Sequence, residues 1–136
     1  RGDRRKTVDY ILDVFTYGVL ENEIWAGNRY AVEAVFRLLN FSDAGFSKDL
    51  RTTLATLIRI NPRLFLEVLY EYRNSRSVKA AGPPVLILPV AYVDRFKAQV
   101  YEYRMRIKAL ESVDEPKYRE IRKACVDLLL KAISEY

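Results

Sequence analysis

Residues Asn61 and Pro62 impose the strongest local constraint on this 136-residue chain. Pro62 has no amide hydrogen and disfavours helical backbone at the residue before it, yet its fixed φ suits the first position of a new helix, which Asn61 is able to cap. A helix arriving from Ser47 must therefore end at this corner, and another must leave from it. Both stretches carry apolar residues at helical spacing, Leu50, Leu54, Leu57 and Ile58 before the corner and Phe65, Val68, Leu69 and Tyr72 after it. Two amphipathic helices meeting at one corner make an all-α fold the expectation.

The segments on either side extend that pattern. Val8, Ile11, Leu12 and Phe15 form a helical stripe that stops near Gly18. A second helix is expected over about Glu21 to Leu39, with Ile24, Trp25, Val32, Val35, Phe36 and Leu39 inward and Gly27 as a weak or close-packed point. Ser42, Asp43 and Gly45 then break the periodicity, and Ser47 is the expected cap of the helix that runs to the corner. Between Asn28 and Ile60, an apolar helix ends in Arg37-Leu38-Leu39, a short loop contains Asp43, and Asp49-Leu50-Arg51 opens a helix with Ala55 and Leu57. This run of residues 28–60 resembles a HEAT-type helical repeat, which implies an antiparallel helix pair; no second complete copy follows at the period an array requires.

Beyond Asn74 the character changes. Gly82-Pro83-Pro84 is a firm break, and Val85, Leu86, Ile87 and Leu88 arrive immediately before Pro89. The flanking prolines oppose sheet pairing and no partner strand is visible, so residues 76–91 are expected to form an extended apolar crossover laid against helices. Its ordinary role is core filling; its functional role, if exposed, is to dock on a partner. Val93, Phe96, Val100, Tyr103, Ile107 and Leu110 then repeat at alternating steps of three and four, and Tyr118, Ile121, Cys125 and Leu128 resume that spacing after the short link Glu111 to Pro116. The link is short enough to expect an antiparallel hairpin whose seam closes within one chain, leaving Lys97, Arg104 and Arg106 as basic flanks. Phe65 with Leu69-Tyr70-Glu71-Tyr72-Arg73 is echoed 31 residues later by Phe96 with Val100-Tyr101-Glu102-Tyr103-Arg104. Chance and duplication both account for so short a match.

Together these readings give an irregular all-α bundle of about six helices in one domain: a four-helix part over 5–75, the Pro-rich crossover over 76–91 and a helical hairpin over 92–136. A chain of this length closes a core without disulfides or metal.

Function is less legible. With no histidine and one cysteine, the chain lacks His-based triads, paired-His zinc motifs and multi-cysteine sites, so no cofactor, metal site or catalytic residue is expected. Cys125 lies on the hairpin seam and reads as a buried structural thiol rather than a nucleophile. Glu67 and Glu71 form a carboxylate pair one turn apart, but Arg63 stands four residues before Glu67 and predicts an ordinary ion pair. Trp25 and Tyr30 read first as core aromatics and second as lining of a ligand pocket. The formal charge of +5 is concentrated late: Lys/Arg number 11 against 10 Asp/Glu up to Ser75, and 12 against 8 beyond it. Part of that excess, Lys97, Arg104 and Lys108, forms one stripe on the hairpin's first helix with Tyr101 inserted.

Such a stripe suits an acidic protein segment or a phosphate backbone, and is also what a solvated helix flank looks like. The expected function is accordingly protein–protein interaction as a non-enzymatic helical module or assembly subunit, with binding residues among Lys97, Tyr101, Arg104, Lys108 and Val85 to Leu88. Weak nucleic-acid or anionic-surface binding and small-molecule binding between helices are the alternatives. No apolar run approaches the roughly 18 to 20 residues of a spanning helix, and compartment is left open.

Overall fold

The computed structural model describes residues 18–40 and 44–136. Among these lie seven α-helices: α1 (Val19–Trp25), α2 (Arg29–Leu38), α3 (Ala44–Ile60), α4 (Pro62–Tyr72), α5 (Arg76–Ala81), α6 (Phe96–Glu111) and α7 (Arg119–Ser134). Single 3-10 turns, Val90–Tyr92 and Pro116–Tyr118, precede α6 and α7 respectively, and the described residues contain no strand. The all-α bundle expected from periodicity is the observed class. The stripe over Val8 to Phe15 lies outside the described residues.

The corner at Asn61-Pro62 forms as its chemistry requires. Asn61 leaves the helical region (φ −150°, ψ 77°), its side-chain carbonyl accepts from the Leu64 amide at 3.1 Å, and Pro62 takes the first helical position. Helix α4 becomes the centre of the bundle: Leu64, Phe65, Leu66, Val68 and Leu69 are buried, and it packs against α2, α3, α6 and α7. Its end is anchored by aromatics. Tyr72 stacks on Phe36 (centroids 5.7 Å apart) and its hydroxyl accepts from Arg37 Nε at 2.7 Å, while Tyr70 meets Tyr118 edge-on at 5.6 Å.

Three boundaries differ from expectation, each for a local reason. The single helix expected over Glu21 to Leu39 is two, because Gly27 adopts φ +91° and Asn28 then caps a fresh helix, accepting from the amides of Tyr30 (3.0 Å) and Ala31 (3.4 Å). Gly18, expected to end a helix, stands at φ +74° as the residue from which α1 departs. Helix α3 starts at Ala44, so Ser47 lies within the helix instead of capping it.

The crossover is also shorter than expected. Residues Arg76–Ala81 are helical, with Ser77 tied to α2's end by its amide donating to Asn40 Oδ1 at 3.0 Å. Gly82 (φ +78°) ends that helix, and only the chain from there to Pro89 runs extended. An extended segment without a partner strand leaves its carbonyls unpaired, and burying them unpaired is costly. Helix α6 supplies the missing donors. Arg106 Nη1 donates to the carbonyls of Val85 (2.7 Å) and Ile87 (3.0 Å), and the Tyr103 hydroxyl donates to that of Leu86 (2.8 Å).

That arrangement rotates α6 relative to the expected seam. Its buried residues are Glu102, Tyr103, Arg106 and Leu110; Arg106, expected on a basic flank, is 1 % exposed. Glu102 holds Arg106 through Oε2 (3.0 Å from Nε) and reaches α3 through Oε1, which accepts from Arg59 Nη1 at 2.7 Å. Helices α6 and α7 do pair within one chain, with Tyr103, Leu110, Tyr118, Cys125 and Leu129 inside. The front of the seam is open: Val93 and Phe96 are exposed and Val100 is half-buried.

A buried ion pair contributes little net stability, because desolvation offsets attraction, so the two backbone carbonyls decide what Arg106 is worth. We expect Arg106→Met to lower the unfolding free energy by about 3 kcal/mol, since Val85 and Ile87 lose their donor and Glu102 loses a partner, whereas exposed Arg104→Met stays within about 0.5 kcal/mol of the parent. Urea unfolding of the two variants checks this.

Candidate functional site

The residues left open by the rotation of α6 gather into a groove on the outer side of the α6–α7 hairpin. One hollow of about 440 Å³ is lined by Phe96, Lys97, Val100, Tyr101, Arg104 and Tyr136. A second, of about 450 Å³, is lined by Arg104, Ile107, Lys108, Glu111, Ser112 and Leu130. Arg104 belongs to both, so the two hollows run on from one another along α6. Phe96, Tyr101, Leu130 and Tyr136 stand 62, 60, 50 and 53 % exposed, a concentration of apolar surface unlike the scattered single exposures of a typical surface. Tyr136 closes one end: its ring lies 5.8 Å from that of Phe96 and its hydroxyl donates to Gln99 Oε1, while Gln99 Nε2 donates to the Tyr92 carbonyl at 2.6 Å.

The electrostatics of this groove are one-sided. Lys97, Arg104 and Lys108, with Tyr101 between them, line it as the expected stripe, and none of the three cations is ion-paired among the described residues. Among the described residues Glu111 is the one acidic side chain lining it, at its far end. Sequence reasoning found the four stripe residues and missed their apolar companions Phe96, Ile107, Leu130 and Tyr136, because helical spacing assigned Phe96 and Ile107 to an interior seam and gave Leu130 and Tyr136 no role. The other predicted binding residues are not brought here. Val85 is fully buried and Leu86, Ile87 and Leu88 are half-buried, Leu86 and Leu88 against the core, so this segment fills the interior and presents no contiguous exposed patch.

The carboxylate pair Glu67 and Glu71 is absorbed by ion pairing. Arg29 bonds both, and Arg63 joins Glu67 (2.9 Å) to Glu115 (2.5 Å), linking α2, α4 and the hairpin. The hydrogen bond and charge of Glu115 raise Arg63 above its ordinary pKa. Trp25 packs partly buried against the core, but Tyr30 is 83 % exposed and does not face it. Among the described residues no three His, Cys, Asp or Glu side chains cluster as metal ligands, and no helix is long and apolar enough to cross a membrane. No protein-family profile, curated protein or solved structure matches this chain.

Cys125 is fully buried, and burial pushes its thiol up from 9.0 to about 12. Native protein should therefore resist alkylation by iodoacetamide at pH 8 and become reactive only on unfolding, which mass spectrometry reads directly. The linkage has a definite sign: between pH 9 and about 12 the unfolded thiol loses its proton and the folded one keeps it, so this group makes stability fall as pH rises through that window.

Proposed function

We propose that this chain is a non-enzymatic protein-interaction module whose α6–α7 groove receives an acidic amphipathic helix from a partner protein. The observation that carries this reading is the pairing of an exposed apolar groove with three cations that have no ion-pair partner among the described residues. Exposed aromatics with arginine are the residue types enriched at the centres of protein interfaces, where Lys97 and Lys108 then contribute steering and register. A phosphate backbone would use the cations and leave the exposed Phe96 and Leu130 facing water and the half-buried Val100 and Ile107 uncovered. A helix with acidic residues beside an apolar stripe uses both.

The groove also sets the spacing of the partner. Val100 and Ile107, one in each hollow, are seven residues apart on α6, about 10 Å along the axis. A partner helix lying along α6 accordingly places apolar anchors at i and i+7, with Asp or Glu between them opposite Arg104. The resemblance of residues 28–60 to a HEAT-type repeat enters this proposal as the scaffold half of the module, on which the hairpin is mounted.

The test is affinity capture from native extract with cross-linking, comparing the parent with Phe96→Asp and with Lys97→Glu/Arg104→Glu; these positions are exposed, and unchanged thermal melting verifies the fold. We expect one partner whose acidic helical segment cross-links to α6 and α7, is lost from both variants and weakens with salt. Capture that neither variant disturbs, or that nuclease abolishes, overturns the reading.

A further inference from the structure

On the opposite side of α6, where Glu102 and Arg106 meet α3, lies a separate hollow of about 360 Å³. It is lined by Thr56, Arg59, Ile60, Pro89, Tyr92, Glu102 and Arg106. Its size falls within the range of small-molecule sites, and its lining combines charged and hydroxyl groups with the apolar Ile60 and Pro89. Among the described residues three charged groups face it, Arg59 and Arg106 against Glu102, which leaves one positive charge. Glu102 is fully engaged, one oxygen on each arginine. The donors of Arg106 that find partners are Nε and Nη1; its Nη2 has none among the described residues and is not among the sealed unpaired polar atoms, so it is the part of this almost wholly buried side chain that stays open. Burial accordingly holds the Arg106 guanidinium below its ordinary pKa in spite of the nearby Glu102 carboxylate. Thr56 has already given its proton to the Thr52 carbonyl (2.9 Å), so the donors offered to an occupant are guanidinium N–H groups and the Tyr92 hydroxyl.

We propose that this hollow binds a small organic carboxylate, its anionic head between Arg59, Arg106 and Tyr92 and its apolar body against Ile60 and Pro89. The charge selects the class. A monoanion balances the single excess positive charge, whereas a phosphate dianion would leave the hollow negative beside Glu102. A planar carboxylate also matches the flat donor fork of an arginine. The bound anion accepts from Arg106 Nη2, the donor left without a partner among the described residues, and it joins α3 to the end of the crossover through Pro89 and Tyr92. This site is independent of the α6–α7 groove and stands or falls separately from it.

Sodium benzoate is the probe, with benzamide as its uncharged isostere and inorganic phosphate as the dianion, followed by backbone amide NMR and calorimetry. The expected result is saturable benzoate binding with a Kd below about 10 mM, shifts concentrated at Thr56, Ile60 and Tyr92, and binding by benzamide and phosphate about tenfold weaker or absent. Arg59→Gln removes the head-group contact, and Ile60→Trp fills the apolar part of the hollow without touching a charge; each should abolish the shifts while the melting transition stays cooperative. Absence of saturable binding, equal binding of benzamide, or an affinity unchanged in Ile60→Trp overturns the proposal.

Discussion

One guanidinium organises the middle of this protein. Arg106 lies among apolar side chains because three acceptors surround it, the Glu102 carboxylate and the backbone carbonyls of Val85 and Ile87. The extended crossover has no sheet to enter and no helical hydrogen bonds of its own, so its burial depends on that donor set together with the Tyr103 hydroxyl. From this follow the rotation of α6, the burial of Val85 and, through Glu102 and Arg59, the attachment of α3. The groove on the other side of α6 is the complement of the same rotation. A helix that turns Glu102 and Arg106 inward must turn Phe96, Val100 and Ile107 toward the rim.

What could be read in the sequence and what could not divide along physical lines. Asn61-Pro62 was legible because capping and a missing amide act on neighbouring residues alone, and the hairpin because a short link leaves its two helices few other arrangements. The break at Gly27-Asn28 was available in principle, since glycine followed by asparagine is a stop and a cap in succession, but the apolar periodicity of Ile24 through Leu39 ran across it unbroken. The face of α6 was misread because periodicity assigns charged residues to solvent, and only a tertiary partner with bare carbonyls reverses that assignment. Its one trace in the sequence is Glu102 and Arg106 at a spacing of four beside an apolar run that prolines keep out of any sheet.

The same reversal separates the two echoed segments. Phe65 is fully buried in α4, whereas Phe96, its counterpart in α6, is 62 % exposed. Leu69 is buried and Val100 half-buried. Similar strings thus serve opposite ends, one helix at the centre of the bundle and one at its edge, so the likeness carries no shared packing. The stripe of Lys97, Tyr101, Arg104 and Lys108 was found by spacing, but its apolar surroundings come from tertiary structure.

The acceptors around Arg106 also limit which sequences can adopt this fold. Lysine carries one compact ammonium on a flexible stem and cannot hold a carboxylate on one edge and two carbonyls at another nitrogen in a fixed plane. Position 106 is thus closed to the substitution most often regarded as conservative, while position 104, two residues away, has no such demand. The mark by which a distant relative of this chain would be known is therefore not an apolar heptad. It is a short aliphatic run between prolines, followed some fifteen residues later by Glu and Tyr adjacent and Arg one turn on, as Glu102, Tyr103 and Arg106 stand here.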